Sequence, residues 1–327
     1  MKIFITGGAG FLGTALTKHY LNKYPFFNKV YVYSRDGSKH WSLTNSLKSA
    51  EHTDCGCCQC FIGDICSPHL LRYVDKSCPD VIIIAHALKQ IDLCESNPSE
   101  ALRVNVAGVE NVIDIVRKLP HELTGNFPRQ VVFISSDKAS NPISVYGTTK
   151  LLAEQLMQQA AVEMPHVIWT VARYGNVLSS TNSVIPLIKQ RIASGNDLEL
   201  TSNTMTRFVF TVKKAVEFID YLVDHQLSGT WIPIMPSMMI RDLFQIYSEH
   251  YGVKVNLLQG SRGFREKEHE ILNTDHEQLE DAWTTHDELE PRYKKLTFGR
   301  AQEVISSKTV QLTKVQLKLL LENENLL

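Results

Sequence analysis

Residues Lys2 to Gly13 read KIFITGGAGFLG, and their reading decides the fold. The apolar run Ile3 to Ile5 suits a parallel strand buried on both faces. Gly7, Gly10 and Gly13 follow at once in a G-x-x-G-x-x-G spacing, and the amphipathic segment GTALTKHYLNKY comes next. Glycine permits the tight turn and lets backbone N–H groups approach a pyrophosphate. The start of the helix adds the positive end of its dipole. A glycine triplet alone is a weak signal. With a strand before it and a helix after it, it predicts a dinucleotide cradle in which Phe11 and Leu12 also take part.

The same alternation continues outward. KVYVYS, CFIGD, VIIIAH, QVVFIS and VIWTVARYGNV read as strands, and EALRVNVAGVENVIDIVRKL reads as one helix between two of them. Such alternation predicts an α/β chain with a doubly wound Rossmann parallel sheet and a smaller C-terminal substrate-binding lobe. The boundaries expected are 1–181 for the cofactor domain and 182–327 for the lobe and tail. SVIPLIKQRIASG and VKKAVEFIDYLVDHQ are helical in pattern, and GTWIPI and VKVNLL are short strands. No linker separates the halves, so the lobe is expected to interleave with the first domain. The tail LTKVQLKLLLENE predicts a packed or subunit-facing helix without chemistry.

The chain has 327 residues, 43% of them hydrophobic, enough for a sizeable core. A net charge of -1 gives no reason to expect nucleic acid or an anionic membrane as partner. No apolar stretch is long enough to span a bilayer, and Met1-Lys2 leads directly into a strand. A cytoplasmic protein is expected. Four of the seven cysteines, Cys55, Cys57, Cys58 and Cys60, crowd into DCGCCQC. This spacing lacks the separated pairs of a structural zinc site, which predicts reduced thiols in a loop and no metal. His86, His269 and Glu270 form no metal-binding pair.

The end of the second strand should select the cofactor. It reads YVYSRD, placing Ser34 and Arg35 where NAD-specific chains carry an acid. Arg35 suits a 2′-phosphate and favours NADP, while Asp36 keeps NAD as the alternative. Asp64, in IGDI, is read either as an adenine contact or as a helix N-cap. Ile65 and Ala85, at the ends of the third and fourth strands, complete this part of the cofactor set.

Residues 135–150 read SSDKASNPISVYGTTK. Tyr146 and Lys150 lie one helical turn apart. A lysine there lowers the phenol pKa and reaches the nicotinamide ribose, so the phenolate can take a hydroxyl proton while hydride leaves. Ser136 is the substrate-orienting hydroxyl. Asp137 and Lys138 are a second acid and amine that a simple alcohol oxidation does not need.

With these residues the sequence resembles the extended short-chain dehydrogenase/reductase superfamily. Within it, SSDKASNPISVYGTTK, HALKQID, ESNPSEALRVNVAGVENV, ARYGNV, VIPLI, MTRF, PSMMIRDL and GFREKEHEIL resemble the UDP-N-acetylglucosamine 4,6-dehydratases of polysaccharide biosynthesis. LSSTNSVIP after ARYGNV, and Phe264 and Arg265 in RGFREKEHE, depart from the usual pattern in regions of nucleotide or sugar recognition. The resemblance implies a UDP-sugar substrate, NADP and a homo-oligomer. It implies C4 oxidation, loss of water from C5 and C6, and hydride return, with Lys138 as base and Asp137 as acid. For those roles Lys138 should have a lowered pKa and Asp137 a raised one. Soluble relatives with Tyr at position 146 resemble the C5-inverting branch, whose product is a 4-keto-6-deoxy-L-arabino sugar. Lys89 is a candidate contact to cofactor or substrate, and Asn105 a brace behind the site. Arg173 and Asn176 are placed at the nicotinamide end or sugar, and Arg207 and Arg262 at the diphosphate. A nucleotide-sugar 4-epimerase or 4-reductase and a non-catalytic NADP-binding regulator are the alternatives.

Overall fold

The computed structural model describes residues 1–23, 29–48, 57–119, 128–258, 265–281, 293–309 and 311–327. The first half supplies strands β1 (Lys2–Thr6), β2 (Lys29–Ser34), β3 (Cys58–Ile62), β4 (Val81–Ile84), β5 (Gln130–Ile134) and β6 (Ile168–Ala172). The second supplies β7 (Asn176–Val177), β8 (Leu198–Leu200), β9 (Thr206–Phe210), β10 (Gly229–Pro233), β11 (Ser237–Met239), β12 (Val255–Leu257), β13 (Glu277–Asp281) and β14 (Tyr293–Phe298). The main sheet runs β3-β2-β1-β4-β5-β6-β10-β14-β13. It is parallel from β3 to β10, and β14 and β13 close it as an antiparallel pair. The strand order turns back on either side of β1. That is the switch point of a doubly wound sheet, where ligands bind beyond the carboxyl ends of the strands.

Alternation along each strand feeds two cores. Ile3, Ile5, Val30 and Val32 face one layer, which includes Leu16 and Phe218. Phe4, Tyr31, Ile82 and Ile84 face the other, with Val112 and Met157. Both faces are covered, so the strands need apolar residues at nearly every position. A third core joins helices Val184–Ala193, Ile240–Tyr251 and Lys314–Asn323 through Ile185, Leu243, Tyr247, Leu317 and Leu321. The tail helix starts at a capping box between Thr313 and Gln316. Strands β10, β13 and β14 return from the second half to extend the main sheet.

The helical segment after the fourth strand is continuous from Pro98 to Lys118, with a π-turn at Arg103–Ala107 inside it. The wide turn brings Asn105 to the backbone of Leu88, where it accepts from the amide at 2.8 Å and donates to the carbonyl at 2.9 Å. Cys57, buried at the head of β3, is disulfide-bonded and not reduced, whereas Cys58 and Cys60 are free. Cys55 lies outside the described residues. Among the described residues, no helix is long and apolar enough to cross a membrane.

Candidate active site

The glycine loop fits a dinucleotide pyrophosphate because side chains are excluded from it. Gly7 has φ 68°, and a Cβ there would lie 2.7 Å from the His86 backbone. A Cβ on Gly13 would lie 2.5 Å from the Gly7 carbonyl oxygen. The Gly10 amide donates to that oxygen at 2.9 Å, and the helix begins at Phe11, whose ring is at the surface. His86 supports the loop from below through Thr6 Oγ1 (3.0 Å) and the Val104 carbonyl (3.1 Å). Burial, aided by the charge of Lys150, keeps it neutral with a pKa of about 3. Leu12 packs against the first core, Ile65 is buried in the second, and the Ala85 amide donates to Thr6 O at 3.1 Å.

At the far end of the cradle, Ser34 Oγ meets His40 Nε2 at 2.8 Å. Arg35 is exposed, 3.6 Å from Glu100 and 4.0 Å from Asp64. Lys89 has a lowered pKa, first from burial and then from the charge of Lys39. The N-cap reading of Asp64 does not describe its carboxylate. Arg103 grips it with two hydrogen bonds of 2.9 Å and holds its pKa near 2. The next helix begins only at Leu70, so Asp64 is not its cap; its carboxylate also accepts from the Cys66 amide at 2.9 Å.

The candidate catalytic residues come from the end of β5 and the helix Val145–Glu163. Ser144 caps that helix by accepting from the Gly147 amide at 3.2 Å, which fixes Tyr146 and Lys150 in its first turns. Between strand and helix, Asp137–Ala139 form a 3₁₀ turn whose cap is Ser136. The Asp137 amide is tied to the Tyr174 carbonyl at 2.9 Å. Ser136 donates to Asp137 Oδ1 at 3.0 Å and lies near enough to Tyr146 to lower its pKa. Lys138 Nζ donates to Asp137 Oδ1 at 3.1 Å and to Asn176 Oδ1 at 3.2 Å, and pairs with Glu270 Oε1 at 3.3 Å. The side chains of Asp137 and Glu270 are 0% and 3% exposed, whereas Lys138 keeps 17% of its surface open. Its opening is a hollow lined also by Ile143, Ser144, Arg207, Arg265 and Lys267.

The protonation states depart from expectation in two places. Tyr146 is pushed up to about 12, mainly by burial; Lys138 pulls it down and Asp137 pushes it up. Lys150 does not offset this: its ammonium donates to the Ile134 carbonyl at 2.7 Å and sits 4.4 Å from the centre of the Phe133 ring. Burial brings Lys150 itself down to about 7. Burial also works against the Lys138 ammonium, but Asp137 and Glu270 outweigh it, so its pKa is raised and not lowered. Asp137 is raised, first by burial and further by Glu270, against the pull of Lys138.

The remaining candidates separate. Arg173 is no ligand for a sugar: its guanidinium is 1% exposed and fully used. It binds Glu154 at 2.6 and 3.0 Å, Glu277 at 2.7 and 2.9 Å, Ser140 Oγ at 2.9 Å and the Leu272 carbonyl at 2.8 Å. Asn176 lies beside Lys138, placing it in the reacting cluster and not on the cradle. Arg207 is buried at the hollow, its guanidinium tied to Thr206 O at 2.7 Å. Arg262 lies outside the described residues. Asn105 links Leu88 to Thr149, one residue before Lys150, at 3.0 Å. Glu270 and Lys267 were missed as site residues. Their segment, GFREKEHEIL, carries part of the family resemblance and a run of charges, which marks polarity without direction.

The family model for polysaccharide biosynthesis protein matches residues 3–289. A Campylobacter jejuni UDP-N-acetylglucosamine 4,6-dehydratase (inverting) is 33% identical over 275 residues, 83% of this chain and 77% of that protein. A Rickettsia prowazekii UDP-glucose 4-epimerase is 31% identical, over 77% of this chain and 71% of that protein. The crystal structure of Pen from Bacillus thuringiensis superposes with a TM-score of 0.83 at 27% identity, covering 100% of this chain and 98% of Pen.

Proposed function

The chain belongs to the polysaccharide biosynthesis protein family, and we propose that within it the chain is a C5-inverting 4,6-dehydratase of UDP-N-acetylglucosamine. The observation that carries this reading is the buried Asp137–Lys138 pair, 3.1 Å apart, in the same cluster as Ser136 and Tyr146. A 4-epimerase or 4-reductase has work for Tyr146 but none for a second acid and amine. The relative named as an inverting dehydratase supports the same choice.

The dinucleotide, when bound, accepts hydride from C4 and returns it to C6. NADP is favoured because Arg35, exposed at the end of β2, is a cation where a 2′-phosphate needs one. Tyr146, oriented by Ser136, takes the C4 hydroxyl proton. The ketone then acidifies C5. Once substrate fills the hollow and expels water, the low dielectric favours the neutral form of the pair. The ammonium proton passes from Lys138 Nζ to Asp137 Oδ1. Neutral Lys138 removes the C5 proton, the C5–C6 double bond forms as the C6–O bond breaks, and Asp137 protonates the departing hydroxide. Lys138 ends as ammonium and Asp137 as carboxylate, their starting state; after hydride return, C5 takes a solvent-derived proton on the opposite face and Tyr146 gives back to solvent the proton it took from the C4 hydroxyl, so no proton is gained or lost. Arg207 and Lys267 supply positive charge to the hollow for the diphosphate end.

Incubation with UDP-N-acetylglucosamine in deuterated water, followed by NMR and mass spectrometry, tests this. The expected product has lost one water, carries a C6 methyl and holds deuterium at C5 in the L-arabino configuration. A C4 epimer of unchanged mass would overturn it in favour of the epimerase named among the relatives.

A further inference from the structure

Glu270 has a place that neither the oxidation nor the proton pair explains. Its carboxylate is buried, yet it spans two amines: Oε1 is 3.3 Å from Lys138 Nζ and Oε2 is 3.4 Å from Lys267 Nζ. Its backbone is clamped on both sides. The amide donates to Ser307 Oγ at 2.9 Å, and the Glu270 carbonyl accepts from the Ser307 amide at 2.8 Å. Ser307 Oγ also meets Thr206 Oγ1 of β9 at 2.8 Å. The C-terminal segment therefore fixes where this carboxylate stands.

Proton transfer makes such a group necessary. While Asp137 holds the proton taken from Lys138, it is no longer an anion beside the lysine. If Lys138 gains the C5 proton before Asp137 gives its own to the leaving hydroxide, it is a buried cation that needs a second anion already in place. We propose that Glu270 is a positioning residue of the elimination step: its fixed carboxylate keeps Lys138 paired throughout and sets the pH window in which the Asp137–Lys138 pair holds one proton. The proposal rests on the dehydratase reading. The charged and titratable groups around Glu270 are Lys138 and Asp137 from the 3₁₀ turn, Arg207 from β9, and Lys267 from its own segment, with Tyr146 behind the pair and Arg265 and Glu266 at the hollow. Lys138, Arg207 and Lys267 outweigh the effect of burial and keep Glu270 ionised.

The test is the pH profile of water loss, read as deuterium entering C5 in single turnovers, for the unmodified chain, Glu270→Gln, Glu270→Asp and Lys267→Met. Removing one negative charge beside the pair lowers both of its proton affinities. Glu270→Gln should therefore move both limbs of the profile down by about one pH unit and slow water loss at least about 10-fold, while reduced nicotinamide still forms. Glu270→Asp should restore part of the rate and the original limbs. Lys267→Met removes a positive charge and should move the limbs upward. Opposite shifts cannot come from a general folding defect. A slower Glu270→Gln enzyme with unmoved limbs would show a prop only and overturn the proposal. If that variant does not fold, an unmoved profile in Lys267→Met overturns it instead. Failure of the dehydratase reading shows separately, as an unmodified chain that forms reduced nicotinamide but never loses water.

Discussion

Two buried clusters in this molecule each set a central cation between two carboxylates, the second with Lys267 and Arg207 also beside Glu270, and they have different uses. Around Arg173 the carboxylates are Glu154 and Glu277; around Lys138 they are Asp137 and Glu270. Arg173 is closed off, and its planar fork is saturated by six contacts that join β6, the helix Val145–Glu163 and β13. Lys138 retains an open side on the hollow, and its point-charge ammonium is held by three oxygens. A guanidinium does not release a proton in a protein, whereas an ammonium can. Placed under sealed packing, the arrangement locks the sheet to the elements around it. Placed at an opening beside Tyr146, it can pass protons.

Exchanging the cations is the strongest way to break the comparison. Lys138→Arg keeps the charge and removes the exchangeable proton, so water loss should fall by about 10²–10⁴-fold while the melting temperature stays near that of the parent. An eliminating Lys138→Arg enzyme would contradict the proton-transfer role. Arg173→Met leaves Glu154 and Glu277 uncompensated in the interior. Denaturant unfolding should show a loss of about 3–5 kcal/mol, with turnover per folded molecule preserved; a stable variant with altered substrate affinity would return Arg173 to the sugar site.

A smaller effect sharpens the role of burial. Lys150 falls from 10.5 to about 7 in the folded chain. Between those values the unfolded chain holds a proton that the folded chain has released, so this group makes stability rise with pH across the window and weighs against folding below it. The cofactor-free parent should gain stability relative to Lys150→Met as pH rises from about 7 to about 10. A constant difference would show that Lys150 stays charged. The smallest effect belongs to the edge strand: replacing Cys58 and Cys60 by Ser should change stability by about 0.5 kcal/mol or less and leave turnover within a few-fold, measured by thermal unfolding and product formation.

The parts legible in the sequence were those whose partners are near in the chain. The glycine loop sits between its own strand and helix, and Ser136, Asp137, Lys138, Tyr146 and Lys150 lie within one short stretch. Spacing carried the glycine loop and the Tyr146–Lys150 pair, and the family resemblance carried the roles of Asp137 and Lys138. Glu270 meets Lys138, and Glu277 meets Arg173, only because β5, β6 and the late segments converge in space. No periodicity reports a pairing across such separations. Arg173 after a strand end resembles a ligand in sequence, and only its six contacts show otherwise. The π-turn at Asn105 has no mark in the sequence, and there Asn105 pairs with the Leu88 backbone.

The central claim is that oxidation and elimination are served by different residues in one site. Single-turnover absorbance of reduced nicotinamide, with oxidised cofactor bound and UDP-N-acetylglucosamine added, tests it most directly. Lys138→Ala should accumulate the reduced nicotinamide, because C4 is oxidised and water loss stalls. Tyr146→Phe should show little signal, because no phenolate takes the C4 hydroxyl proton. If Lys138→Ala instead loses water at the parent rate without accumulation, Asp137–Lys138 is an ion pair of the turn, and the separation of the two roles is wrong.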